Sequence, residues 1–122
     1  MAKILIIDDD KDILEVVQLL LTTKGYDVQT IFNAEETLDK IKSFNPEVIL
    51  LDVNIGQHDG REICKLLKSV GTIKHIPVIL FSALPGLEHT YPECEATGYI
   101  AKPFDANHLF ETIERHLITS KN

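Results

Sequence analysis

Four apolar residues, Val48-Ile49-Leu50-Leu51, run straight into one acid, Asp52. An unbroken apolar run of this length suits a strand covered on both faces, as in the middle of a parallel sheet. Asn45-Pro46 just ahead of it marks a turn. The strand therefore carries Asp52 out at its carboxyl end. In open α/β sheets, ligands and chemistry gather at that edge.

The rest of the chain alternates around this strand. Lys3 to Ile7 is a second buried-strand candidate and ends in Asp8-Asp9-Asp10. A first helix follows over about Lys11 to Lys24, with Ile13, Val16, Val17, Leu20 and Leu21 at helical spacing. Asp10 is placed to cap its start and Gly25 its end. Val28 to Ile31 is a short strand. Asn33 is the expected cap of a second helix, with Ala34, Leu38, Ile41 and Phe44 inward. After Asp52 comes a loop, Asn54 to Gly60, then a third helix from about Arg61 to Val70 that turns Ile63, Leu66, Leu67 and Val70 inward. Ile76 to Phe81 is a fourth strand, with Pro77 at its start, where a missing donor is tolerated. Ser82 and Ala83 end it. Leu84 to Thr97 is the least regular stretch; Pro85-Gly86 favours a turn and Pro92 disfavours a helix interior. It is expected to be a loop with at most a short helix. Tyr99-Ile100-Ala101 is a fifth strand leading to Lys102-Pro103-Phe104. A last helix is capped by Asp105 and buries Leu109, Phe110, Ile113 and Leu117.

This β-α alternation implies a parallel sheet with helices on both faces. A doubly wound sheet of five strands commonly takes the flavodoxin-like order 2-1-3-4-5. That order sets strands one and three side by side, so Asp8, Asp9 and Asp52 converge at the switch point. Ser82 and Lys102 end strands four and five on the same edge. The 122 residues read as one domain over 1–122, and hydrophobic residues at 44% with charged residues at 25% make it globular. The net charge of -7 argues against binding nucleic acid through its phosphates. No apolar run is long enough for a membrane helix, and the N-terminal apolar stretch is too short for a signal peptide. Cys64 and Cys94 form no CxxC pair and read as free thiols in a reducing cytosol. The expected location is cytoplasmic.

Three carboxylates in one site repel each other, and two ways out are to protonate one or to bind a cation. Hard carboxylate oxygens favour magnesium or manganese. Lys102 adds a point charge for an anion and Ser82 a hydroxyl donor. The set suits a phosphoryl group: a carboxylate nucleophile, a divalent ion, an ammonium and a hydroxyl. Taken singly, each residue has an ordinary structural reading as a helix cap, loop acid, turn hydroxyl or surface cation.

The chain resembles a response regulator receiver domain of two-component signalling, of the stand-alone single-domain type, over essentially its whole length. The matching motifs are Ile4-Leu5-Ile6-Ile7-Asp8-Asp9, Leu50-Leu51-Asp52 with Asp59-Gly60, Phe81-Ser82-Ala83, and Tyr99 with Lys102-Pro103-Phe104. The resemblance implies that Asp52 is the phosphoacceptor and takes its group from a phosphohistidine on a sensor histidine kinase or histidine phosphotransfer protein. It implies that Asp8, Asp9, Asp52 and the backbone carbonyl of Asn54 hold Mg2+, for which Mn2+ can substitute. Ser82 and Lys102 would each meet a phosphoryl oxygen, and Tyr99 would be the aromatic that turns inward when Ser82 moves. Lys102-Pro103 would be cis. The implied role is a phosphorylated signalling switch or relay, not an enzyme that turns over an external substrate. Gly56 stands where the family usually has proline, and Ser82 replaces the commoner threonine.

Rival readings meet obstacles in the residues. A haloacid-dehalogenase-type phosphatase needs a general acid two residues after the nucleophile, where this chain has Asn54. A degenerate receiver serving only as a binding module usually lacks an acid or the lysine, and all are present. A flavodoxin-like electron carrier would set an acidic segment against its cofactor's phosphate. No Gly-x-Ser-x-Gly elbow surrounds Ser82. His58 lies near the site, but a lone loop histidine is usually solvated.

Overall fold

In the computed structural model, which describes residues 2–121, the element order is β1 (Lys3–Ile7), α1 (Lys11–Thr23), β2 (Asp27–Ile31), α2 (Thr37–Phe44), β3 (Val48–Asp52), β4 (Asn54–Ile55), β5 (His58–Asp59), α3 (Gly60–Ser69), β6 (Val78–Ser82), α4 (Leu87–Thr90), a 3-10 turn (Tyr91–Cys94), β7 (Gly98–Ala101) and α5 (Ala106–Lys121). The main sheet is parallel, in the order β2-β1-β3-β6-β7. This is the expected 2-1-3-4-5 order, because β4 and β5 are a separate two-residue hairpin. The expected loop after Asp52 is therefore a tight antiparallel turn.

The three central strands are apolar because both of their faces are covered. Every residue of β3 and β6 is buried. Leu5, Ile7, Ile49, Leu51 and Leu80 face one layer with Ile41, Cys64 and Leu67. Ile4, Ile6, Leu50, Ile79 and Phe81 face the other, with Val17, Leu21, Leu109 and Ile113. The period-two alternation of strand side chains sorts the residues between these layers. Each buried Leu or Ile is worth roughly 1.5–3 kcal/mol against exposure, so the layers fix the strand register firmly.

Several inward faces differ from the sequence expectation. Val16 and Leu66 are more than half exposed, and Leu14 and Cys64 are buried in α1 and α3 instead. At 3.6 residues per turn, Val16 and Leu66 lie roughly 130° from the buried stripe of their helices. Phe110 is half-buried, and the Lys24 ammonium sits 4.7 Å over its ring. Asn33 does not cap α2. Its Oδ1 accepts from the Glu36 N–H at 3.2 Å and closes a turn ahead of the helix, which starts at Thr37 without a side-chain cap. Asp10 does cap α1, accepting from the Asp12 and Ile13 N–H groups, and Asp105 accepts from the His108 N–H at 2.7 Å.

The stretch after β6 is irregular, as expected. Gly86 takes a left-handed φ of 79°, α4 lasts four residues, and the 3-10 turn follows at once. Pro92 is the second residue of that turn, where a missing N–H leaves no bond unmade. Leu87, Cys94 and Ala96 tie the stretch to the core.

Candidate functional site at the carboxyl edge of the sheet

β1 and β3 are neighbours with Ile7 opposite Leu51, so the residues that follow them emerge together. One ligand oxygen from each of Asp8, Asp9 and Asp52 lies within 4.8 Å of the others. Asp8 is fully buried and Asp52 nearly so, at 5% exposure, while Asp9 is exposed. Asp8 is held from two sides. The Asp10 N–H donates to its Oδ1 at 2.9 Å and Lys102 Nζ donates to its Oδ2 at 2.9 Å.

Lys102 follows the last strand, and the Lys102-Pro103 bond is cis, as the resemblance implied. Its ammonium lies 3.6 Å from Asp52 Oδ1 and 4.7 Å from the centroid of the Phe81 ring. The Phe81 and Phe104 rings meet at 5.0 Å. The lysine thus spans Asp8 and Asp52 above an aromatic floor.

The electrostatics of the cluster are unbalanced. Burial, and next the Asp8 carboxylate, raise the Asp52 pKa to about 7; Lys102 and the Asn54 N–H pull it back only in part. A carboxyl with this pKa is partly protonated at neutral pH. The site therefore lacks positive charge, the condition that a cation relieves.

Ser82 ends β6 and is buried, and its Oγ accepts from the Leu84 N–H at 3.0 Å. Its backbone carbonyl accepts from the Lys102 N–H at 2.9 Å, which locks the ends of β6 and β7 together. Tyr99, on β7 opposite Leu80, is half-buried away from the acids, with its ring 5.1 Å from that of Tyr91. The edge thus gathers Asp8, Asp9, Asp52 and Lys102, with Ser82 at the adjacent strand end, and leaves Tyr99 on the flank. Asn54 is exposed at the start of the β4–β5 hairpin. His58 lies outside the cluster, with Nε2 3.3 Å from Glu35 Oε1.

The loop after Asp52 makes two further contributions, whose contacts only the fold reveals. A Cβ on Gly60 would collide with the carbonyl of Asp52, so only glycine lets α3 begin this close to the end of β3. Asp59 caps the same helix through the Arg61 N–H and pairs with the Arg61 guanidinium at 2.9 Å. The signal for both was Asp-Gly placed just ahead of an amphipathic run. The second contributor is the Gly56 N–H, which donates to Asp9 Oδ2 at 2.8 Å. Nothing in a sequence pattern reveals a backbone donor reaching across 47 positions.

A doubly wound sheet with this acid cluster and lysine at its switch point defines a receiver-type phosphoacceptor module. Residues 4–114 match the response regulator receiver domain family. The chain belongs to that family, whose members are signalling phosphoacceptors rather than turnover enzymes. It is 32% identical to protein PilG of Pseudomonas aeruginosa over 118 residues, which cover 94% of this chain and 87% of PilG. It is 33% identical to the response regulator PleD of Caulobacter vibrioides over 92% of this chain but only 25% of PleD. Among solved structures, the chemotaxis response regulator CheY4 of Vibrio cholerae superposes with a TM-score of 0.86 at 30% identity, covering 95% of this chain and 98% of CheY4. A CheY-like receiver domain protein from Methanospirillum hungatei gives 0.89 at 27% identity, covering 99% and 97%. Among the described residues, no helix is long and apolar enough to cross a membrane.

Proposed function

We propose that Asp52 accepts a phosphoryl group from a phosphohistidine on a sensor histidine kinase or histidine phosphotransfer protein, in a magnesium-dependent step that switches partner binding or passes the group onward. The observation that carries this reading is the buried Asp52 carboxyl, raised to about 7 beside Asp8 and facing the Lys102 ammonium. An Asp52 oxygen attacks phosphorus; the O–P bond forms as the P–N bond breaks, and the imidazole leaves with the bonding pair. Asp8, Asp9 and Asp52, with the backbone carbonyl of Asn54, are the residues to hold magnesium, and their all-oxygen donor set suits a hard cation. Bound there, magnesium supplies the positive charge that keeps Asp52 ionised and offsets the incoming phosphoryl oxygens.

The remaining roles belong to Lys102, Ser82 and Tyr99. Lys102 gives up part of its contact with Asp8 and Asp52 to donate to a phosphoryl oxygen, a charge-assisted bond. The Ser82 hydroxyl turns to donate to another, and its Oγ leaves the Leu84 N–H. That shift frees space beside β7, into which Tyr99 moves from its place against Tyr91. The two buried free thiols, Cys64 and Cys94, agree with work in a reducing cytoplasm.

Incubation with acetyl phosphate and magnesium, followed by intact mass, tests the reading. One phosphoryl adduct is expected on the wild-type chain and none after chelation. An adduct of equal yield in EDTA would refute the magnesium-dependent step.

A further inference from the structure

The three acids of the cluster are not fixed in the same way. Asp8 is buried and held by the Asp10 N–H and by Lys102. Asp52 is buried at the end of β3. Asp9 is exposed, and an exposed side chain samples its staggered rotamers unless something holds it. Yet one of its oxygens already stands within 4.8 Å of ligand oxygens of Asp8 and Asp52. The contact that accounts for this is the Gly56 N–H, 2.8 Å from Asp9 Oδ2.

We infer that Gly56 is a positioning residue of the metal site: its backbone N–H holds Asp9 beside Asp8 and Asp52 before an ion arrives. The inference rests on the magnesium reading above and adds a residue to it. A carboxylate has about four lone-pair positions, so one bond to Gly56 leaves Asp9 free to ligate. Outer partners of this kind orient metal-binding carboxylates, and losing one typically weakens metal affinity by about 10–100-fold.

The turn geometry makes the contact specific. Gly56 has a φ of 59°, in the left-handed region. Proline has no N–H and a φ fixed near -65°, so Gly56→Pro removes both the donor and the turn that aims it. Asparagine keeps the N–H and tolerates the left-handed region better than most residues. A Cβ at Gly56 meets nothing within 4 Å, so the asparagine side chain has room.

The test is a magnesium titration of the full chain, followed by amide chemical shifts in the nitrogen-labelled protein. The dispersion of the same spectra reports folding. Gly56→Pro is expected to bind magnesium about 10–100-fold more weakly than wild type, and Gly56→Asn to recover most of that loss. In an Asp9→Ala background, Gly56→Pro should add no further loss. The inference is overturned if Gly56→Pro binds as tightly as wild type or tighter, if folded Gly56→Asn is as weak as Gly56→Pro, or if the full loss persists without the Asp9 carboxylate. Should Gly56→Pro fail to fold, the metal-free wild type decides. Its Gly56 amide proton should shift on Asp9→Ala while that of Gly71 stays in place, and an unmoved Gly56 signal overturns the inference. A wild type that binds no magnesium, or an Asp9→Ala chain that binds it undiminished, brings down the metal reading and this inference together. Affinity lost in Asp9→Ala but kept in Gly56→Pro overturns the Gly56 role alone.

Discussion

Asp52→Asn should stabilise the metal-free fold, by an amount that grows with pH. Burial and Asp8 lift the Asp52 pKa from 3.8 to about 7. Between those two values the fold keeps a proton that the unfolded chain has released. Stability from this group is therefore complete below about pH 4 and is lost as pH rises through about 7. At 1.36 kcal/mol per pH unit, the penalty relative to an unfolded, ionised Asp52 is on the order of 4 kcal/mol at pH 8, where the fold has to ionise it, and on the order of 2 kcal/mol at pH 5, where the fold keeps the proton. Asparagine keeps the shape and carries no charge at any of these pH values. The variant's advantage over wild type should thus widen by roughly 2 kcal/mol between pH 5 and pH 8. Urea denaturation in EDTA at several pH values measures it. A saturating magnesium concentration should reverse the order, because the ion binds the native acid cluster and stabilises wild type more than the variant. An Asp52→Asn chain no more stable than wild type at pH 8, or an advantage that does not change with pH, would refute the account of the cluster's charge.

Other expectations follow from the same geometry. Asp9→Asn removes one negative charge from the cluster, so the metal-free melting temperature should rise while magnesium affinity falls; a lower melting temperature with unchanged affinity would contradict the cluster. Lys102→Ala loses a charge-assisted bond worth roughly 1.5–3 kcal/mol and should leave a chain that is still phosphorylated but whose amide spectrum no longer responds; a full wild-type response would remove Lys102 from the switch. Residues 87–95 form one short helical turn and a 3-10 turn, so their amides should exchange faster than those of α5 in the unphosphorylated chain and slow on phosphorylation. Equal protection from the outset would show a rigid fourth connection.

Much of this architecture was legible because burial on both faces leaves an unmistakable mark. Val48–Leu51 and Val78–Phe81 are apolar without interruption, and the acids or hydroxyl that follow them mark the carboxyl edge. Parallel pairing then brings Asp8 and Asp52 together without further information. Helix faces were less legible. Val16 and Leu66 are apolar yet exposed, because a chain carries more apolar residues than its core takes in. The start of α2 was not legible because Asn33 can close a turn as readily as it can cap a helix. The hairpin after Asp52 lay beyond reach, since two-residue strands have no periodicity to read. So did the bond from Gly56 to Asp9, which uses a backbone group that every residue except proline possesses.

The central claim is that the phosphoryl group lands on Asp52 and nowhere else. Borohydride reduction of the chain treated with acetyl phosphate and magnesium converts an aspartyl phosphate to homoserine, and peptide mass spectrometry then locates the change. The account predicts homoserine at position 52 alone, with no reduction in Asp52→Asn. Reduction at position 8 or 9, or an adduct that survives in Asp52→Asn, would contradict it.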